Sequence, residues 1–338
     1  MKKRLLVLLV GIFLIGALSA RVYLRSGKLA GETREASSSK AIRVGTNRAL
    51  GTVVPFVAKT KGFFQPYGLS VEVTDFSDGS PMEAFASGQL DIALLGIAPS
   101  AIWQSQGVAL KVVAAANGGG HVLLTRADSG IDNVQDLRGK KVATPKAGTV
   151  TDTLFRSEIV RDIAQLDPEK DIRIVPDVAP GDMPTALFVS REVDAAITWE
   201  PYASEAEAKF KNARVLFDSA AEWRKSYPQS TQLYPVNVVI ARQSFIEAHP
   251  AELRQFLAAY VEAVDFINSH PDEANTIIAN ELQLDPATVA SARRRIDYTW
   301  RVDQVASLRT LEWSKQAGYL KEIPSVAKLF DLNYLPKE

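Results

Sequence analysis

From residue 41 onward, short apolar runs with period-two alternation take turns with segments of helical period. Residues 41–46 read as a strand running into Gly45-Thr46, and residues 69–76 as a second, with Val71 and Val73 between polar partners. Residues 91–95 and 110–116 read as further strands. The segments between them read as helices: 53–61 with Pro55 in its first turn, 81–87 stopped by Gly88, and 99–106. The plan then restarts. Strands are expected at 140–144, 171–175, 194–198 and 214–217, with helices at 151–163, 182–190 and 202–210. A last apolar strand over 234–241 precedes a helical tail, with helices expected at 250–269, 271–281, 286–298 and 305–317.

Two successive units of this kind predict an α/β fold of two similarly built lobes, each a mixed, mainly parallel sheet flanked by helices. A helical tail needs a surface to pack on. The chain is therefore expected to cross back to the first lobe near 234–241, giving two interlobe crossings and a hinge near 123–127 and 234–241. The division this implies is residues 41–125 and 236–338 for the first lobe and 126–235 for the second. The length of 338 residues suits two such bodies.

The N-terminus changes the picture by placing the chain. Lys2, Lys3 and Arg4 precede an apolar run over 5–18 and the small residues Ala17, Ser19 and Ala20, the layout of an export signal over residues 1–20. An uncleaved anchor is the alternative; either one puts the rest of the chain outside the cytoplasm, in a periplasmic or other extracytoplasmic space. Residues 21–40, ending in Ser37-Ser38-Ser39, read as a flexible spacer. Lys+Arg and Asp+Glu balance at 39 each, so no net field recruits nucleic acid or an anionic membrane. The absence of cysteine removes thiolate nucleophiles, Cys-ligated metals, disulfides and the lipid-modified cysteine of many exported proteins. The three histidines, His121, His249 and His270, form no metal-ligand spacing, and there is no Gly-x-Ser-x-Gly or phosphate-binding Gly-rich loop. No cofactor, no metal and no enzymatic constellation is expected.

Several segments, in order, carry a resemblance: Ala58-Lys59-Thr60-Lys61-Gly62-Phe63-Phe64, Gly68-Leu69-Ser70-Val71, Ala84-Phe85-Ala86-Ser87-Gly88-Gln89-Leu90-Asp91-Ile92-Ala93, Asp136-Leu137-Arg138-Gly139-Lys140-Lys141-Val142, and Val193-Asp194-Ala195 followed by Trp199-Glu200-Pro201-Tyr202. Together they resemble the nitrate/sulfonate/taurine class of ABC-transporter substrate-binding proteins, over roughly residues 41–320. The resemblance implies a two-lobed type II periplasmic binding protein fold. It also implies a monomer that carries a small polar or anionic ligand, nitrate-, sulfonate-, taurine- or pyrimidine-like, to an ABC permease and its ATPase. A ligand-sensing ectodomain acting through a partner, or an enzyme on the same fold, are the alternatives.

Ligands of open α/β sheets lie beyond the carboxyl ends of the strands, where helix N-termini converge. That rule singles out Asn47, Ser80, Asn117 and His121 in the first lobe, and Thr149 and Thr151 beside Gly148 in the second. Asp182, Trp199 and Glu200 complete the expected set, the aromatic as a wall and the carboxylates as acceptors for a donor-bearing ligand. The mundane reading of each Ser, Thr or Asp is a helix cap. Two acidic contacts favour an amino-sulfonate or a pyrimidine-like base over a bare inorganic anion.

Overall fold

The computed structural model describes residues 41–47, 49–76 and 81–337. The expected export signal and spacer lie outside these residues, as does Ser80. No helix among the described residues is long and apolar enough to cross a membrane.

Among the described residues, eleven strands form two sheets. The first has six strands in the order β11-β4-β10-β3-β1-β2: β1 (Ile42–Thr46), β2 (Val71–Asp75), β3 (Ile92–Gly96), β4 (Leu110–Gly119), β10 (Pro235–Arg242) and β11 (Ile296–Tyr298). The second has five in the order β7-β6-β8-β5-β9: β5 (His121–Arg126), β6 (Lys141–Ala143), β7 (Arg173–Val175), β8 (Ala195–Trp199) and β9 (Ala213–Asp218). Both sheets are mixed. β1, β2 and β3 pair in parallel, as do β6, β7 and β8. β10 and β11 join the first sheet antiparallel, and β5 and β9 are antiparallel in the second. Antiparallel pairing takes a larger share than the alternating pattern implies. The strands that leave one sheet for the other run outward beside strands that return.

The helices relevant here are α1 (Val54–Lys61), α2 (Met82–Ala86), α3 (Ile97–Ser105), α4 (Val150–Leu154, continued as a π-helix over Phe155–Ile163), α5 (Tyr202–Lys209), α6 (Ser219–Ser226), α7 (Gln243–Ala248), α8 (Pro250–Ser269), α9 (Pro271–Leu282), α10 (Pro286–Ala292) and α11 (Gln304–Gln316). Helix α8 shows how the sequence dictates packing. Pro250 opens it, and Leu253, Phe256, Leu257, Tyr260, Val264 and Ile267 repeat at helical spacing and are buried. That stripe lies on one face of the first sheet with α1, and Phe256 stacks on Phe64. The opposite face of the first sheet shares an apolar core with α3, α4, α11 and part of the second sheet, while Met183, Leu187, Phe188 and Ala203 cover the second sheet's other face.

Three expectations are corrected. The helix expected over 286–298 stops at Ala292, and Ile296–Tyr298 is a strand on the edge of β4. Tyr298 is buried there with its hydroxyl donating to the Leu50 carbonyl, so the aromatic belongs to the sheet and not to a helix face. The first crossing falls between β4 and β5, at Gly120, and not at 123–127. Gly119 and Gly120 both have positive φ, at 71° and 90°, which breaks one extended run into two strands of different sheets. The second sheet therefore begins at His121, ahead of the expected boundary at 126. The return crossing runs through α6 and residues 227–234 into β10, where the strand expected over 234–241 is found.

Candidate functional site

The carboxyl ends of β1, β3 and β4 and the start of β10 lie on one edge of the first sheet, and this edge is polar. Asn117 is buried and accepts at Oδ1 from Asn237 Nδ2 at 2.8 Å. A Cβ on Gly51 would stand 2.6 Å from Asn117 Oδ1 and 2.7 Å from Asn237 Nδ2, so that loop needs glycine to pass so close to the pair. Next to it, the Thr52 hydroxyl donates to Asn47 Oδ1 and the Asn47 carbonyl, both at 2.8 Å, and Thr46 donates to the Thr52 carbonyl. Asn47 and Asn117 therefore belong to one polar cluster, tied together by Thr52, Gly51 and Asn237.

On the second sheet the loop after β6 leads into α4. Thr149 caps the helix: its hydroxyl accepts from the Asp152 N–H and donates to the Lys146 carbonyl. The Gly148 N–H donates to Asp152 Oδ2 at 3.1 Å, and the buried Asp152 also receives Tyr319 Oη at 2.7 Å and Arg156 Nε at 2.8 Å. Thr151 is buried within the first turn. The starts of α3 and α4 meet across the lobes: a Cβ on Gly96 would lie 3.1 Å from Val150 Cγ2, and one on Gly148 3.2 Å from Ile102 Cδ1. Two helix N-termini, each the partially positive end of its helix, thus converge from opposite lobes.

The hinge side is more heavily bonded. His121 is fully buried; its main-chain N–H donates to Ser219 Oγ, and its Nδ1 shares a hydrogen bond with the Tyr234 hydroxyl. Burial pushes the imidazole down to about 3, so it is neutral near pH 7. Trp199 pairs with His121 across β8 and β5 and meets the Tyr202 ring edge-on. Glu200 is buried, accepts from the Ser204 N–H at 3.1 Å, and takes Arg295 Nη1 at 2.8 Å. The same guanidinium reaches Glu207 Oε2 at 2.6 Å and Asp218 Oδ2 at 2.7 Å. Burial raises the Glu200 carboxyl and Arg295 opposes the shift, while the surrounding carboxylates push the guanidinium upward despite its own desolvation. Arg295 comes from the turn before β11 in the first sheet, and its three partners belong to the second, so this knot spans the lobes.

The structure thus brings Asn47 with Asn117, Thr149 with Thr151, and His121 with Trp199 and Glu200. Asp182 is exposed on a turn beside Gly181, which faces the Tyr202 ring. Thr52, Asn237 and Arg295 went unrecognised in the sequence. Asn237 sits in a strand pattern of otherwise apolar residues, a signal that would have found it; Arg295 lies in the run Arg293-Arg294-Arg295 and carries no local mark. Among the described residues no group of His, Asp and Glu is arranged to hold a metal ion.

Comparison with known proteins gives this geometry a context. The model of the NMT1-like family matches residues 35–282. A Bacillus subtilis protein named as an aliphatic sulfonates-binding protein is 29% identical over 304 residues, covering 88% of this chain and 83% of its own. The crystal structure of the periplasmic aliphatic sulphonate binding protein of Escherichia coli superimposes with a TM-score of 0.70 at 23% identity, over 87% of this chain and 92% of that one. A ligand-binding component of an ABC-type import system from Staphylococcus aureus gives 0.72 at 15% identity, over 87% and 97%. The two-lobed binding-protein fold expected from the sequence is the fold of these neighbours.

Proposed function

The chain belongs to the NMT1-like family, and from that membership we propose that it is the solute-binding component of an ABC-type importer, holding a small ligand with an anionic group between its lobes. The observation that carries the reading is the convergence of the α3 and α4 N-termini from opposite lobes, beside the buried Asn117–Asn237 pair. The partial positive charge of helix N-termini complements a sulfonate-like oxyanion, and amide side chains add neutral hydrogen bonds that fix its orientation. Glu200 is paired with Arg295, so it does not present a free carboxylate against an anion. Of the acidic contacts expected to disfavour simple anions, Glu200 is in this way neutralised and Asp182 is exposed on a turn. The relatives named for aliphatic sulfonates point to the same ligand class.

In this reading the chain works outside the cytoplasm as a monomer, released by cleavage of its first 20 residues or held through them. It binds rather than transforms its ligand, and delivers it to a permease driven by a separate ATPase. A ligand that bridges the lobes favours their closed arrangement by its differential affinity for that state.

The test is a thermal-shift series on residues 40–338 with methanesulfonate, ethanesulfonate, taurine and nitrate. A ligand at about 100 times its dissociation constant adds about 2.7 kcal/mol of stability, a shift of several degrees. The expected result is a clear rise with at least one sulfonate that Asn117→Ala and Thr149→Ala both reduce. A panel without any shift, or a shift that neither substitution alters, contradicts the proposal.

A further inference from the structure

A cavity of about 170 Å³ lies between the π-helical part of α4, helix α6, the crossing segment and α11. Its walls are aromatic. Trp223 and Tyr227 stand 4.2 Å apart between ring centroids, Trp223 and Tyr234 5.5 Å, and Tyr234 and Trp313 5.4 Å in an edge-to-face arrangement. Two carboxylates line it, Glu158 and Glu222, and no basic residue does. The Glu158 carboxylate is held in place by Trp313 Nε1 at 2.9 Å. Burial raises that carboxyl, while Arg309 and the Trp313 N–H oppose the shift.

Aromatic faces and carboxylates around one small space make a site for a cation. Ring quadrupoles present negative faces, and a desolvated cation gains from them and from the carboxylates together. The molecule already demonstrates this attraction at the rim. The Arg309 guanidinium lies 5.2 Å from the Tyr227 ring centre and 3.6 Å from Glu158, although nearly half exposed. Lys225, on the outer side of Glu222, is 3.7 Å away and faces solvent. A cavity of about 150 Å³ holds a benzene-sized guest, so about six to eight heavy atoms fit here.

We infer that this cavity is a binding site for a compact organic cation of the alkylammonium class, formed by Trp223, Tyr227, Tyr234 and Trp313 with Glu158 and Glu222. It is distinct from the polar edge built on Asn117 and Thr149. Tyr234 links the cavity to the hinge side, because its hydroxyl is bonded to His121 at the start of β5. A cation in this cavity neither requires nor precludes a sulfonate at the polar edge.

The experiment titrates the mature chain with choline and tetramethylammonium, following tryptophan fluorescence and calorimetric heat. The control is 3,3-dimethylbutan-1-ol, which matches choline in shape and carries no charge. Both cations should bind, and the alcohol should bind at least about tenfold more weakly, since only shape remains to it. The double substitution Glu158→Gln with Glu222→Gln should weaken choline about tenfold or more at unchanged folded-state circular dichroism. Arg309→Gln, which removes the resident rim cation, should strengthen it. Equal affinity for choline and the alcohol overturns the inference, as does absence of binding by either cation. Undiminished choline binding in the folded double variant overturns it too.

Discussion

At the scale of single residues, the charged and titratable groups near the hinge govern stability more than they advertise. His121 is neutral in the folded chain because burial holds it at about 3, whereas the unfolded chain titrates near 6.5. The unfolded state therefore binds the extra proton as pH falls below 6.5, and stability contributed by the neutral ring is present above that value and lost below it. The loss runs at about 1.4 kcal/mol per pH unit for this one group. Urea denaturation from pH 7 down to about 5 should show that slope in the parent, and a slope shallower by about that amount in His121→Asn. Equal slopes in the two proteins would show that the imidazole is not buried neutral.

Arg295 is the second residue-scale case. It serves Glu200, Glu207 and Asp218 at once, so removing it leaves a fully buried carboxylate uncompensated. Arg295→Ala should cost about 3 kcal/mol or more, and Glu200→Gln less, since the guanidinium keeps two partners. Chemical denaturation of both variants checks the order. None of this was legible in the sequence. Glu200 drew notice as a carboxylate after a buried strand, but its partner stands 95 residues away in a run of three arginines. Local pattern distinguishes a solvated arginine from a buried one only through the fold around it.

At the scale of elements, the pattern was far more readable. Helix α8 was bounded correctly because Pro250 marks its start and the apolar stripe runs unbroken to Ser269. The segment over 286–298 was misread for an equally physical reason. Ala, Val and Arg suit a helix, and the turn that ends α10 contains no Gly or Pro to announce it. The strand β5 is hidden in the sequence because the three consecutive glycines ahead of it read as a flexible link. Those glycines are a structural requirement. A Cβ on Gly119, at φ 71°, would stand 2.4 Å from Leu233 Cδ1 and 2.6 Å from the Arg295 carbonyl oxygen. The left-handed backbone alone costs a side chain about 1–2 kcal/mol, and the clash with a main-chain oxygen adds to it. Gly119→Ala should therefore destabilise by at least about 2 kcal/mol in equilibrium unfolding, whereas Gly107→Ala, with open space at its Cβ, should pay the backbone cost alone. Equal losses would remove the close approach at Gly119 from the account.

At the scale of the whole molecule, the restart of the α/β pattern gave the two sheets and the late return strand. It could not give the way the lobes meet. Helix α11 packs against α3, against both parts of α4 and against β10, so it touches elements of both lobes. Ser157 donates to the Trp313 carbonyl and Tyr319 to Asp152, fastening α4 to the same C-terminal segment. These contacts join residues more than 150 positions apart, beyond the reach of any periodicity. The polar edge between the lobes is likewise a product of assembly: Asn47 follows β1, Asn117 lies in β4, and Thr149 caps α4 beyond the second sheet.

The central claim is that one small ligand engages both lobes at that edge. Hydrogen–deuterium exchange with saturating ethanesulfonate, read by mass spectrometry, tests it most directly. Binding across the lobes predicts slower exchange together in residues 96–100 and 117–119 of the first lobe and 146–152 of the second, with the outer helix α9 unchanged. Protection confined to one lobe, or none at a concentration that saturates a measured binding heat, would contradict it.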